Sequence, residues 1–242
     1  MKHQAGLRRI LAALTAVAPA LIILVGQSAQ AAPQLTRSVT TSPTYSGFVY
    51  NSAQSASTVT NTFTVPAITC TAADQGIIPG VAIPDDKNTN IIAAGVAETC
   101  QSGHPAYHGE ADINGTTTVF RVTVKPKDVV TTTLKASAKQ TTGTFQLTVP
   151  GKPPVTIAFH GTGGNNFFPC LGIDSLQGSP NTNPVPRFPQ VTFKKAMIDG
   201  KPVSAKTTTR INMETSGGVL QIATSLLANN GTSYSMKFVN NG

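Results

Sequence analysis

The sequence predicts an all-β fold, and three observations carry that reading. Thr supplies 34 of the 242 residues, and Thr with Val favours pleated sheet. Only 12% of residues are charged against 40% hydrophobic, which is too few charges for a coiled coil and too apolar for a disordered chain. From Tyr45 onward, strand-length segments alternate with turn signals and no long helical period intervenes. A dozen or more antiparallel strands in one domain make a β-sandwich with about six or seven strands per sheet.

The first 31 residues stand apart from that fold. Lys2, Arg8 and Arg9 form a positive start, Ile10 to Val25 is an apolar run, and Ala29-Gln30-Ala31 is a small-x-small cleavage site. This is the pattern of a secretory signal peptide, and the run is short for a membrane span. Secretion to the extracellular space is therefore expected, with no membrane attachment after cleavage. Residues 32–43 read as a polar lead-in and residues 44–242 as the sandwich domain.

Alternation marks the strands one by one. Thr58, Thr60, Thr62 and Thr64 share a face, with Val59, Asn61, Phe63 and Val65 on the other. Phe120, Val122 and Val124 alternate with Arg121, Thr123 and Lys125. Phe145, Leu147 and Val149 repeat the pattern, as do Val155, Ile157 and Phe159. Further strands are expected near 45–51, 79–83, 91–97, 106–113, 129–136, 190–198, 207–214, 218–226 and 233–239. Asn114-Gly115 and Asp199-Gly200 each sit between two such runs and supply the positive φ angles of a tight hairpin.

Charge and cysteines narrow the function. Losing Lys2, Arg8 and Arg9 with the leader takes the formal charge from +8 to +5. The remaining Lys are scattered without interleaved aromatics, so a nucleic-acid partner is not expected. In an oxidising compartment, Cys70 and Cys100 are close enough to close a moderate loop. Cys170 is then odd, either a buried thiol or a crosslinking site.

His108, Glu110 and Asp112 fall at i, i+2 and i+4 and so share one strand face. They could bind substrate, pair as acid and base or hold a metal, or they could be a solvated polar face. Gly161 to Asn166 follows a strand but precedes no helix, so it reads as a loop rather than a phosphate cradle. Asn165 or Asn166 could supply an amide donor if that loop reaches a cleft. No Gly-x-Ser-x-Gly or His-Glu-x-x-His occurs. The absence of Trp disfavours a polysaccharide-cleaving enzyme. Asn114-Gly115-Thr116 and Asn230-Gly231-Thr232 match the glycosylation pattern but read more naturally as turns.

One family pattern runs through much of the chain. Tyr45-Ser46-Gly47-Phe48-Val49 is followed by a strand ending Phe63-Thr64-Val65-Pro66. Then come Pro79-Gly80-Val81-Ala82-Ile83, Ile91-Ile92-Ala93-Ala94-Gly95, the turn Thr99-Cys100-Gln101-Ser102-Gly103-His104-Pro105-Ala106-Tyr107, and Phe188-Pro189-Gln190-Val191-Thr192-Phe193. In order and spacing this resembles the glutamic peptidases, or eqolisins, over most of residues 44–200. The resemblance implies two seven-stranded sheets in a bent, concanavalin-like sandwich with a cleft on the concave face. It also implies a Glu acting as general base on water and a Gln amide stabilising the oxyanion at acidic pH, with no cofactor.

Carried over by position, the Gln falls on Ala93, the base Glu on Asp174 and a further cleft Glu on Asp112. Asp174 could alternatively cap a turn. The resemblance places His108 and Glu110 on the cleft face as binding residues, where the family has aromatic side chains. Losing one oxyanion donor typically costs about a hundred- to a thousandfold in rate. Shortening the base by a methylene displaces it by more than about an ångström, which can cost a similar factor. The expectation is a secreted peptidase-like protein with lost or strongly altered activity and a retained cleft for polypeptide or another extracellular polymer. The alternative is an acid endopeptidase using Asp174 and Asp112.

Overall fold

In the computed structural model, the described residues are 39–51, 58–84, 91–113, 116–137, 141–160, 168–175 and 185–241. The leader at 1–31, the Asn114-Gly115 turn and the Gly161 to Asn166 loop lie outside them.

Sixteen strands occur among the described residues. In chain order they are β1 (Val39–Ser42), β2 (Tyr45–Tyr50), β3 (Thr58–Thr64), β4 (Gly76–Pro84), β5 (Ile91–Gln101), β6 (His104–Ile113), β7 (Thr116–Thr123) and β8 (Val129–Ala136). They continue with β9 (Thr142–Thr148), β10 (Val155–His160), β11 (Cys170–Ser175), β12 (Val191–Ile198), β13 (Lys201–Pro202), β14 (Thr208–Glu214), β15 (Leu220–Thr224) and β16 (Tyr234–Phe238). The all-β expectation holds. β11 and β13 were not among the strands expected, and β1 lies in the stretch read as lead-in.

Period-two patterning explains the outer layer. In β3 the Val59 and Phe63 side chains are buried, while the Thr face forms a polar ladder with β8: Thr62 Oγ1 lies 2.8 Å from Thr131 Oγ1 and Thr60 Oγ1 3.3 Å from Thr133 Oγ1. Such cross-strand Thr pairs support a sheet face that meets water. Asp199 and Gly200 both have positive φ, 50° and 73°, and turn β12 into β13 as the sequence anticipated. Ser102 and Gly103, at 50° and 79°, do the same between β5 and β6.

Two separate sheets were expected, but hydrogen bonding links them. One continuous path runs β10-β9-β8-β3-β12-β16-β15-β14-β2-β11-β4-β5-β6-β7, with β13 attached to β12 and β1 pairing β14 in parallel. The path is two runs of seven strands joined at the β14–β15 pairing, and its ends β10 and β7 approach one another. The result is a nearly closed, barrel-like sandwich. Near-closure also leaves few free edges on which another chain could add a strand.

One hydrophobic core fills the space between the runs. Phe63, Leu134, Phe145 and Phe193 enter it from one side, and Ile77, Ile83, Ile92 and Leu171 from the other. Phe193 stacks on Tyr234 with ring centroids 4.8 Å apart. Cys70 and Cys100 form a disulfide across 30 residues of sequence, tying the segment before β4 to the end of β5.

Register produces one unusual feature. Gly47 on β2 pairs with Gly172 on β11, Gly172 with Gly80 on β4, and Gly80 with Gly95 on β5. Four glycines thus form a row across four adjacent strands. A Cβ on Gly80 would lie 2.1 Å from Ala94 O, and one on Gly172 2.1 Å from Ser46 O. Neighbouring backbones occupy the space a side chain would need, so the sheet creases along this row. Asn61 braces the crease from the opposite layer: its Nδ2 donates to Gly80 O at 2.8 Å, and its Oδ1 accepts from Thr132 Oγ1 at 2.5 Å.

Candidate functional site

The crease floors a pocket on the face turned away from the core. Tyr45, Ile78, Gly80, Ala82, Ala93, Cys170, Gly172 and Asp174 line it, together with backbone of Val81 and Ala94. Alternation along β11 explains this: Leu171 and Ile173 enter the core, so Cys170, Gly172 and Asp174 face the pocket.

Two rows of side chains wall the crease. On one side Tyr45, Asp174 and Ile78 are register partners. On the other, Val49, Cys170, Ala82, Ala93 and Asp112 follow one another across five strands. Tyr45 closes one end, its hydroxyl donating to Phe48 O at 3.2 Å and sitting where side chains on Gly47 and Gly172 would be. At the far end Gly95 pairs with Glu110, so the glycine row terminates in a carboxylate.

The structure brings the expected residues together in part. Ala93 and Asp174 line the same pocket, and Ala93 is the register partner of Asp112. Asp174 itself stands four residues along from that row, beside Ile78 rather than Ala82. Asp112 accepts from Thr117 Oγ1 at 3.3 Å. His108 Nε2 lies 3.0 Å from Glu110 Oε2, forming an imidazole–carboxylate pair. Among the described residues no three His, Cys, Asp or Glu side chains gather as a metal-ligand set. His108, Glu110 and Asp112 therefore share a face without converging on a common point.

Asp174 is the electrostatic centre of the pocket. It is only 9% exposed, and neither carboxyl oxygen has a hydrogen-bond partner among the described residues. The adjacent Ser175 N–H is committed to Thr44 O at 2.8 Å. Burial holds the Asp174 carboxyl well above the ordinary carboxylate range; the Ser175 dipole opposes this, and the charge of Asp112 adds to it. In its protonated form this carboxyl offers one O–H donor and one acceptor oxygen to whatever enters.

Cys170 is the free, fully buried thiol, which sets aside the crosslinking alternative. Its Sγ donates to Phe168 O at 3.2 Å, and burial with the nearby Asp174 pushes its ionisation far up. It therefore serves the wall as a small apolar group and not as a thiolate. Sequence reasoning passed over Tyr45, Cys170 and the crease glycines as pocket residues. The available signal was Gly inside three strand-like runs, which marks close approach of backbone.

The comparisons agree with this architecture. Residues 43–151 match the model of the Peptidase A4 family. No curated protein matches the chain. Among solved structures, scytalido-glutamic peptidase with a peptide-based transition-state analogue is 19% identical, with a TM-score of 0.67 over 81% of this chain and 98% of that one. SCP-B, a member of the eqolisin family in complex with the tripeptide Ala-Ile-His, is 18% identical with a TM-score of 0.64 over the same shares. Aspergilloglutamic peptidase from Aspergillus niger is 19% identical with a TM-score of 0.54, over 69% of this chain and all of that one. At these identities the likeness establishes the fold. Residues 43–151 thus resemble the Peptidase A4 family, and the chain as a whole carries an eqolisin-like fold.

Proposed function

We propose that this is a secreted, glutamic-peptidase-like protein that holds polypeptide in the concave pocket and has lost or strongly altered the peptidase chemistry. One observation carries the reading. Ala93 and Asp174 line one pocket, and the position that would present an amide to an oxyanion presents a methyl group. The pocket keeps an apolar floor and a buried carboxyl suited to a peptide unit. Without the amide donor, transition-state stabilisation falls by about 3–4 kcal/mol. Two of the structural relatives were solved with peptide ligands, a transition-state analogue and a tripeptide.

A second reading, an acid endopeptidase using Asp174 and Asp112, has support from one feature. The charge of Asp112 adds to the burial that raises the proton affinity of Asp174. In that reaction one of the two, ionised, would take a proton from water as the oxygen attacks the peptide carbonyl, and the other, protonated, would donate toward the carbonyl oxygen.

Incubation of the mature protein with a denatured protein substrate between about pH 2 and pH 5 separates the two. The binding reading expects no cleavage above an Asp174→Ala control. Cleavage that disappears in Asp174→Ala and in Asp112→Asn would establish the endopeptidase instead. Secretion is tested by N-terminal sequencing of protein recovered from culture medium, with Ala32 expected as the first residue.

A further inference from the structure

Accepting the peptide-binding reading, the geometry points to the pocket as a subsite for a glutamine side chain of the bound polypeptide, its carboxamide paired with Asp174. The lining divides by chemistry. Ile78, Ala82 and Ala93 are apolar. Tyr45 commits its hydroxyl to Phe48 O and Cys170 its thiol to Phe168 O, each at 3.2 Å. Asp174 is the one lining side chain whose polar atoms are unmet among the described residues. It is more than nine-tenths buried, and both its carboxyl oxygens are sealed from water.

Two unmet oxygens set the ligand's shape. A protonated carboxyl presents a donor and an acceptor side by side, and a primary amide presents the complementary acceptor and donor. Together they close a ring of two hydrogen bonds. A trans peptide unit satisfies only one oxygen, because its N–H and C=O point in opposite directions. A cation would need Asp174 ionised, and the lining holds no second carboxylate to share its charge. A carboxamide brings no charge into the apolar surround. Because the oxygens are already sealed from water, the desolvation cost of pairing falls on the ligand alone. Glutamine suits the site better than asparagine: its longer stem reaches oxygens set below the lining surface, and its methylenes meet apolar walls.

Such pairing makes recognition depend on the proton of Asp174. The titratable groups around that carboxyl are Tyr45 on β2, Cys170 on its own strand and Asp112 on β6; β4 contributes Ile78 and β5 Ala93, which do not titrate. Burial keeps Tyr45 and Cys170 protonated through acid and neutral pH. Burial and the charge of Asp112 both favour the protonated form of Asp174. Loss of its proton as pH rises removes the donor and sets two acceptors against the amide oxygen.

The test uses three end-blocked hexapeptides, identical except for Gln, norleucine or Arg at one central position. Affinity for the mature protein is read by fluorescence anisotropy from about pH 4 upward. At the acid end Gln is expected to bind at least about tenfold tighter than norleucine, an advantage that fades as pH rises. Asp174→Asn keeps a donor beside an acceptor without a titrating proton, so the Gln preference should persist and become independent of pH. Asp174→Leu should erase it; thermal melting confirms that both variants fold. Equal binding of Gln and norleucine by the unmodified protein, or tightest binding of Arg, overturns the glutamine subsite while leaving the peptide cleft standing. A Gln preference that survives Asp174→Leu overturns the pairing with Asp174. Binding of none of the three overturns the cleft reading, and the subsite with it.

Discussion

Strand β5 carries two contrasting environments on its two faces. Toward the core it presents Ile92, Ala94, Val96, Glu98 and Cys100; toward the crease it presents Ala93 and Gly95. Each environment contains an acidic group with no hydrogen-bond partner among the described residues, Glu98 on the core side and Asp174 across the crease. Burial raises the proton affinity of both. Glu98, fully buried beside Tyr107 and the disulfide, does not line the crease pocket. Asp174 lines a cavity. The same isolated carboxyl is therefore a cost to the core on one face and a pocket-lining group on the other. Burial alone does not distinguish them; the presence of a pocket does.

The largest expected effect lies at the core end, near Glu98. Replacing Cys70 and Cys100 with Ser releases a loop of 30 residues and should cost roughly 3–4 kcal/mol, measured by denaturant unfolding. A loss below about 1 kcal/mol would mean that the loop is held by its strand pairing alone.

Next comes the crease. Gly80→Ala forces a methyl group against Ala94 O and should cost about 3 kcal/mol, whereas Gly103→Ala, at an open turn, costs only its backbone strain of about 1 kcal/mol. Similar losses at the two sites would remove the case for a crease built on close backbone approach.

Glu98→Met should act in the opposite direction. It removes two unsatisfied oxygens from the core and is expected to stabilise by roughly 1–3 kcal/mol. It should also change the pH profile. A carboxyl whose folded proton affinity exceeds its unfolded one contributes its full stability below the ordinary carboxylate range. That contribution is lost as pH rises toward the folded value. Both Glu98 and Asp174 have this sign, so the protein should be most stable in acid and weaken toward neutrality. Glu98→Met should flatten that slope by one proton. An unchanged slope would show that Glu98 finds a partner in solution.

The smallest effect is expected on the outer Thr ladder, where Thr60→Ala loses one weak cross-strand contact and should fall within about 0.5 kcal/mol of the parent.

Much of the fold was legible because alternation is a local property. β3, β8 and β9 follow directly from it, as does the Asp199-Gly200 turn. β11 escaped because its pocket face carries Cys170, Gly172 and Asp174, which do not form a recognisable polar stripe. The joining of both layers into one path depends on pairings between β14, β15 and β2 that no local pattern encodes. Register was equally hidden. Family position brought Ala93, Asp112 and Asp174 to one face, but only strand pairing places Asp174 beside Ile78 and sets Glu110 at the end of a glycine row. Glu98 sat within an apolar run and gave no sign of its isolation.

Backbone hydrogen exchange, with and without a saturating end-blocked peptide, tests the peptide-holding pocket most directly. Added protection should concentrate in residues 78–82, 91–97 and 170–175, the strands that line the crease, and should vanish in Ala82→Leu, which fills it. Protection confined to the outer Thr face of β3 and β8, or unaffected by Ala82→Leu, would place the ligand elsewhere and contradict the assignment of this pocket.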